Sequence, residues 1–97
     1  INWDQPSEMI RNFVRGLNPI PTAWTTIAGK TFKVYQVKHV TSDNTDTTPG
    51  SWESDQKNFL HVRTKDGWLE LEEIQPEGKR KMHIREFLMG NKLEKQI

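Results

Sequence analysis

The sequence predicts a mainly β fold with two short helices, arranged as a small Greek-key, OB-like β-barrel. Three observations lead to this prediction. Five short strand-like segments separated by turn residues lie between two helical segments, the hydrophobic pattern changes phase inside the second strand, and no βαβ alternation occurs. A chain of 97 residues has the length of one domain, which we place at residues 1–97.

The first helix is predicted in the segment WDQPSEMIRNFVRGLNP, where apolar residues recur at helical spacing. Asp4 or Ser7 can cap its start, and the pair Asn18–Pro19 ends it. One face of this helix is expected to be buried, with the residues Ile10, Phe13, Val14 and Leu17.

Two strands are predicted next, at residues 23–27 and 31–41, with Gly29 in the tight turn between them. The apolar residues of the second strand change from one face to the other partway along. A phase change of this kind indicates a β-bulge or a sharp bend, as found where a sheet curls into a barrel. The residues concerned are Phe32 and Val34 on one face, and Tyr35 and Val37 on the other.

The stretch 41–50 has no apolar residue and predicts a mobile loop or a long hairpin connection. Three further strands are expected at 51–54, 59–64 and 68–74, with a hairpin turn at Asp66–Gly67. A second helix is predicted at 83–89, ending at a glycine, and the last residues, NKLEKQI, are expected to fray. Its buried residues should be Ile84, Phe87 and Leu88.

Composition excludes several classes of function. The chain has no cysteine, so disulfides, Cys-based zinc sites and thiol catalysis are excluded. No apolar run approaches the roughly 18 residues of a membrane span, and His39, His61 and His83 lack metal-ligand spacing. Glu70 and Glu72 are expected on a solvated strand face. We therefore predict no catalytic residue and no metal site in this chain.

Cationic residues cluster near the second helix, although the net charge is only +1. A charge run is most often a solvated surface, yet a separated basic patch on a barrel attracts phosphates without reading base sequence. Both interpretations stay open on the residues alone. The candidate phosphate-binding residues are Lys79, Arg80, Lys81 and Arg85, with Lys33, Lys38, Arg63 and Lys65 as an extension.

Four tryptophans are many for a chain of 97 residues. Their expected role is to fill a small core. An aromatic ring exposed on a barrel face can instead stack on a nucleic-acid base. Trp52 and Trp68 are the two that we select as candidates for such stacking.

Two segments, INWDQPSEMIRNFVRGLNPIPTAWT and LEEIQPEGKRKMHIREFLMG, resemble the start and end of the C-terminal domain of the methionyl-tRNA formyltransferase family. Related domains occur in sugar-nucleotide formyltransferases and in formyltetrahydrofolate dehydrogenase, but the string QPEGKRKM favours the tRNA enzyme. Ile20, Thr22 and His83 depart from the family pattern, which often has an aromatic residue, a glycine and a Ser or Thr there. The matching residues are Ile1, Asn2, Trp3, Arg15, Leu17, Asn18, Pro19, Pro21, Trp24, Thr25, Thr26, Gln75, Pro76, Glu77, Gly78, Lys79, Arg80, Met82, Phe87, Leu88 and Gly90.

The resemblance implies a full enzyme that transfers a formyl group from 10-formyltetrahydrofolate to initiator Met-tRNA in the cytoplasm. Its catalytic residues belong to an N-terminal domain, and the absence of a starting methionine suggests that this chain is a domain excised from a longer protein. This domain is then expected to hold no cofactor, to contact no membrane, and to bind the tRNA and its own N-terminal catalytic domain. The alternative is a structural or interaction module of a related sugar-nucleotide or tetrahydrofolate formyltransferase.

Overall fold

Six strands and two short helices make up the computed structural model, which describes residues 1–42 and 47–94. Within these ranges, neither helix is long and apolar enough to cross a membrane. Part of the predicted loop 41–50 lies outside the described residues. The elements are α1 Ser7–Leu17, β1 Ala23–Ile27, β2 Lys30–Val40, β3 Trp52–Ser54, β4 Leu60–Arg63, β5 Trp68–Pro76, β6 Met82–His83 and α2 Ile84–Gly90.

The strands form one antiparallel sheet in the order β1-β2-β5-β4-β3. Strands β3, β4 and β5 follow one another as a meander, and β2 lies beside β5, which is a Greek-key arrangement. The sheet curls into a half-barrel, so the predicted mainly β, barrel-like fold with two short helices is confirmed. The sequence predicts five strands, whereas the structure adds β6, which pairs with β5 at Glu73–His83 and Ile74–Met82.

The predicted irregularity in the second strand is present. The register of β2 on β5 shifts twice, between Val34 and Gln36 and between Gln36 and Val37. As a result, Tyr35 of β2 and Glu72 of β5 have no Cα partner in the ladder. The shifts let Val34 and Val37 both point into the core, which is the physical reason for the phase change seen in the sequence.

Left-handed backbone occurs in the turn between β1 and β2 and in the turn that follows α1. Ala28 and Gly29 have φ angles of 52° and 78°, as a two-residue type I′ hairpin turn requires, which confirms the turn predicted at Gly29. Thr22, where the family pattern often has glycine, has a φ of 76°. Its hydroxyl donates a hydrogen bond to the Pro19 carbonyl, which supports the turn that follows α1.

The core lies between the inner face of the sheet and the two helices. Helix α1 buries Ile10 and Val14 completely, as predicted, but Phe13 is 48% exposed and Leu17 is only partly buried. The prediction that Phe13 is buried is therefore wrong. Helix α1 packs mainly against β2 and less against β1, so the row that contains Phe13 and Leu17 lies along an open hollow beside β1.

Helix α1 is not capped by Asp4 or by a side chain of its N-cap residue, Pro6. The N–H of Ser7 instead donates to Asp66 Oδ1 at 2.9 Å, from the turn between β4 and β5. The Ser7 hydroxyl also pairs with the buried Thr64 hydroxyl at 2.7 Å. The prediction of a local cap was wrong because a distant turn supplies the acceptor.

Helix α2 begins and ends close to the prediction. His83 is its N-cap, and His83 Nδ1 accepts the N–H of Arg85 at 3.1 Å. This capping role explains the histidine without a ligand. Ile84, Phe87 and Leu88 are buried as predicted.

The segment after α2 does not fray at Leu93, which is 3% exposed. Gln56 holds it from the β3–β4 turn, because its amide nitrogen donates to the Leu93 carbonyl at 2.7 Å and its amide oxygen accepts the Leu93 N–H at 3.0 Å. The prediction of a frayed tail is therefore wrong for this part of the segment. Residues 95–97 lie outside the described residues.

Candidate nucleic-acid interface

The cationic run occupies the turn between β5 and β6 and the first turn of α2. Gly78, with a φ of 78°, and a hydrogen bond from the Lys79 N–H to the Pro76 carbonyl (3.0 Å) close this turn. All four cations of the run, Lys79, Arg80, Lys81 and Arg85, are exposed.

The side chain of Lys81 is held over the outer face of the sheet. Its ammonium group lies 4.6 Å from the centre of the Tyr35 ring, a cation–π contact. The Tyr35 hydroxyl donates to Gln75 Oε1 at 2.9 Å, and the Gln75 amide nitrogen donates to the Lys79 carbonyl at 2.9 Å. These contacts tie the cationic turn to β2 and β5.

Lys33 joins the same area. In the ladder it stands opposite Trp24 on one side and Gln75 on the other, and its side chain is exposed. Residues opposite each other on neighbouring strands share a face of the sheet. Lys33 thus stands beside Gln75, the Lys79 backbone carbonyl accepts from the Gln75 amide, and Lys81 lies over Tyr35, which bonds to Gln75. We call these three exposed lysines, Lys33, Lys79 and Lys81, the cationic face.

Arg80 is engaged within the protein. Its guanidinium forms an ion pair with Glu86 and donates to the Lys81 carbonyl at 3.3 Å. A phosphate would have to compete with Glu86 for this arginine. Arg80 therefore contributes less net positive charge to its surroundings than Lys79 does.

Lys38 lies further along β2 and is paired with Glu70, with Nζ and Oε2 3.0 Å apart. The hydrogen bond to Glu70, together with the charge of Glu70, raises the pKa of Lys38, while the charge of Arg85 acts in the opposite direction. Arg85 is thus within electrostatic range of Lys38. Because the charges of Glu70 and Glu72 act on Lys38 as well as that of Arg85, this part of the surface is mixed in charge.

Glu70 is the centre of a polar row across the sheet. It accepts from Lys38 and from His61 Nε2 at 3.1 Å, and His61 Nδ1 lies 3.5 Å from Glu53 Oε1. Burial acts to raise the pKa of Glu70, but the hydrogen bonds from Lys38 and His61 outweigh it and lower that pKa. The row connects β2, β5, β4 and β3. The His61 side chain within it is only 13% exposed.

Arg63 and Lys65 lie apart from the cationic face. They stand at the start of β5, and the nine residues of this strand span on the order of 25 Å. Arg63 is half-buried, stacks over Trp68 at 5.9 Å and donates to the Gly67 carbonyl at 3.3 Å. Lys65 is exposed on the hairpin turn.

The expectation that tryptophans fill the core is confirmed for Trp3 and Trp68, which are buried. Trp68 therefore offers no open ring face for stacking, and Trp52 is partly buried. Trp24 is 59% exposed. The alternation in β1 is the signal that could have identified it, because buried Ile27 places Trp24 on the opposite, outward face.

Within residues 1–42 and 47–94, no group of three or more His, Asp or Glu side chains is placed to hold a metal ion. The exposed cations and the curled sheet define a small, mainly β domain with a cationic surface. The chain belongs to the family described as formyl transferase, C-terminal domain, whose model matches residues 1–92. The family resemblance found in the sequence is thereby confirmed.

The chain is similar to several bacterial methionyl-tRNA formyltransferases. It is 40% identical over 97 residues to that of Clostridium tetani, covering 100% of this chain and 31% of the relative. For Agathobacter rectalis the identity is 42% over 94 residues, covering 97% and 30%. For Azobacteroides pseudotrichonymphae it is 38% over 96 residues, covering 94% and 30%. The chain therefore spans less than a third of the length of these relatives.

Proposed function

We propose that this chain, residues 1–97, is the C-terminal tRNA-binding domain of a cytoplasmic methionyl-tRNA formyltransferase. In this proposal an N-terminal catalytic domain transfers the formyl group from 10-formyltetrahydrofolate to initiator Met-tRNA. The domain described here holds the tRNA by its phosphates and contributes no cofactor. The convergence of Lys33, Lys79 and Lys81 on one face carries the proposal.

The physical basis is the release of counterions from RNA phosphates. Each neutralised phosphate changes the slope of log K against log salt by about 0.7 to 0.9, so three contacts give a slope of about −2 to −3. Contacts of this kind do not read base sequence, and the Kd is expected at roughly 10⁻⁴ to 10⁻⁶ M at physiological salt. In this proposal the domain adds affinity and orients the tRNA without reading its base sequence.

The test is charge reversal on the cationic face. The double variant Lys79→Glu, Lys81→Glu removes two cations and leaves the ion pair between Arg80 and Glu86 in place. We expect the Kd for a tRNA transcript to rise about tenfold or more and the salt slope to fall by about 2. Lys57→Glu is the matched control, because Lys57 is also exposed but lies in the turn between β3 and β4. A double variant that binds tRNA like the Lys57 control would refute the proposal.

A second candidate function is a structural module that braces a catalytic domain. The exposed apolar side chains favour it, since Phe13 is 48% and Ile20 is 85% exposed. If the chain is such a module, the unsubstituted chain and the double variant Lys79→Glu, Lys81→Glu should have the same low affinity for tRNA. In that case variants at Phe13 and Ile20 would alter the activity of the full-length enzyme, while those at Lys79 and Lys81 would not.

A further inference from the structure

An exposed tryptophan side chain adjoins the cationic face. Trp24 lies on the edge strand β1, directly opposite Lys33, and Gln75 follows on β5 in the same cross-strand row. Neighbouring strands are about 4.8 Å apart, so the row from Trp24 to Gln75 spans about 10 Å. Trp24 is 59% exposed, which leaves much of its indole surface in water.

This row forms the floor of an open groove of about 340 Å³. A volume of this order lies in the range of small-ligand sites. The groove combines an aromatic ring, an ammonium group and a carboxamide, which can both donate and accept hydrogen bonds. Gln75 is held in place by Tyr35 and by the Lys79 carbonyl, so its amide is positioned in advance. The lining includes Trp24, Lys33 and Gln75, and it also includes one carboxylate, that of Glu77.

Aromatic rings beside a cationic groove are the means by which proteins bind single-stranded nucleic acid. The ring stacks on a base of any type, and the neighbouring cation neutralises the adjacent phosphate. Unpaired nucleotides in the loops and at the ends of an RNA have bases that are accessible for such stacking. Paired bases in a helix are not accessible in this way.

We propose that Trp24 stacks on an unpaired base of the bound RNA while Lys33 contacts the adjoining phosphate. This site rests on the proposed function and deepens it. The lysines at positions 33, 79 and 81 attract the backbone, and Trp24 makes the face prefer single-stranded nucleotides over duplex. The preference is for strandedness and does not depend on base identity.

Trp24 also borders a second, apolar hollow, lined in part by Ile1, Phe13 and Leu17. A protein partner that covered this hollow would contact Phe13 and Trp24 together. RNA that stacks on the cationic side would depend on Trp24 and Lys33 but not on Phe13. The chain thus supplies its own matched control in Phe13, which is an aromatic residue of similar exposure.

The experiment measures the binding of single-stranded oligouridylate and of an RNA duplex of equal length to the 97-residue chain. We expect Trp24→Ala to raise the Kd for the single strand about 5- to 150-fold, as the loss of one stacked base implies. The salt slope should stay unchanged, because no cation is removed. Trp24→Phe should retain part of the affinity, Phe13→Ala should have no effect, and duplex binding should change in none of the three.

The stacking site is refuted if Trp24→Ala binds the single strand like the unsubstituted chain, or if Phe13→Ala weakens binding as much. The second result would assign the ring to a protein partner. The proposed function fails separately, when the double variant Lys79→Glu, Lys81→Glu keeps its tRNA affinity. Thermal melting of each variant verifies that a lost signal reflects the site and not unfolding.

Discussion

The ammonium group of Lys81 lies 4.6 Å from the centre of the Tyr35 ring. Tyr35 lies at the register shifts in β2, where it has no Cα partner in the ladder. Its ring then meets the turn that follows β5, and its hydroxyl donates to Gln75. The irregular strand predicted from hydrophobic phase is therefore also the element that positions a cation of the candidate interface.

Replacing Tyr35 separates the two contacts of its side chain. Tyr35→Ala removes the ring face, which at exposed sites is worth about 0.5 to 1 kcal/mol to a cation. We expect the Kd for tRNA to rise about 2- to 5-fold, because Lys81 loses its position. Tyr35→Phe keeps the ring and removes only the hydroxyl, so its Kd should stay close to that of the unsubstituted chain. Equal weakening in both variants would show that the hydrogen bond to Gln75, and not the ring, is responsible.

Glu70 makes stability depend on pH. Its pKa in the folded state is lowered, because the hydrogen bonds from Lys38 and His61 outweigh the effect of burial. A group with a lowered folded pKa stabilises the fold above its unfolded pKa, about 4.3 for glutamate, and this stabilisation is lost as the pH falls through the folded value. We expect urea unfolding to show a loss of stability below about pH 4 that is smaller in Glu70→Gln.

The control for Glu70 is Glu77→Gln, at an exposed carboxylate in the β5–β6 turn. This variant should keep the full acid-dependent loss of stability. If Glu70→Gln shows the same pH profile as the Glu77 control, the row through Lys38 and His61 does not couple protonation to folding.

Asp66 caps helix α1 from a distant turn. Its Oδ1 accepts the Ser7 N–H at 2.9 Å, and this hydrogen bond is the main cause that lowers the pKa of Asp66. Asp66→Ala should lower the free energy of unfolding by about 0.5 to 2 kcal/mol, as loss of an N-cap does. Asp4→Ala, at the residue that local sequence suggests as the cap, should change stability by less than about 0.5 kcal/mol. Chemical denaturation of both variants tests this, and the opposite ranking would contradict the assignment.

Leu93 anchors the chain after the second helix. It is 3% exposed, and Gln56 binds both its N–H and its carbonyl. Leu93→Ala should lower the free energy of unfolding by about 2 to 4 kcal/mol, within the usual range for a buried leucine. The nearby Met89 is 85% exposed, so Met89→Ala should have an effect below about 0.5 kcal/mol. Similar stabilities for the two variants would show that the segment after α2 does not pack as described.

Local patterns in the sequence are sufficient for most elements of this fold. Alternation and turn residues predict the first hairpin, including Gly29, and the phase change predicts the shift near Tyr35. Helical spacing predicts α2 and its buried residues. These features can be predicted because each depends on residues within a few positions of one another. The side-chain periods of helices and strands, on which the predictions rely, are properties of the backbone itself.

The composition of the candidate interface depended on tertiary structure. Lys33 and Lys79 are far apart in the sequence, and only the pairing of β2 with β5 brings them around Gln75. The same pairing leaves Lys65 at the opposite end of β5 and makes β1, with Trp24, an edge strand.

The sequence by itself determined the order of the elements other than β6, the irregularity in β2 and the family. The tertiary structure decided that Asp66 caps α1, that Leu93 is buried, and which cations share a face with an exposed Trp24. The physical reason is that capping, burial and surface charge depend on partners supplied by distant segments. No periodicity along the chain encodes which segments meet.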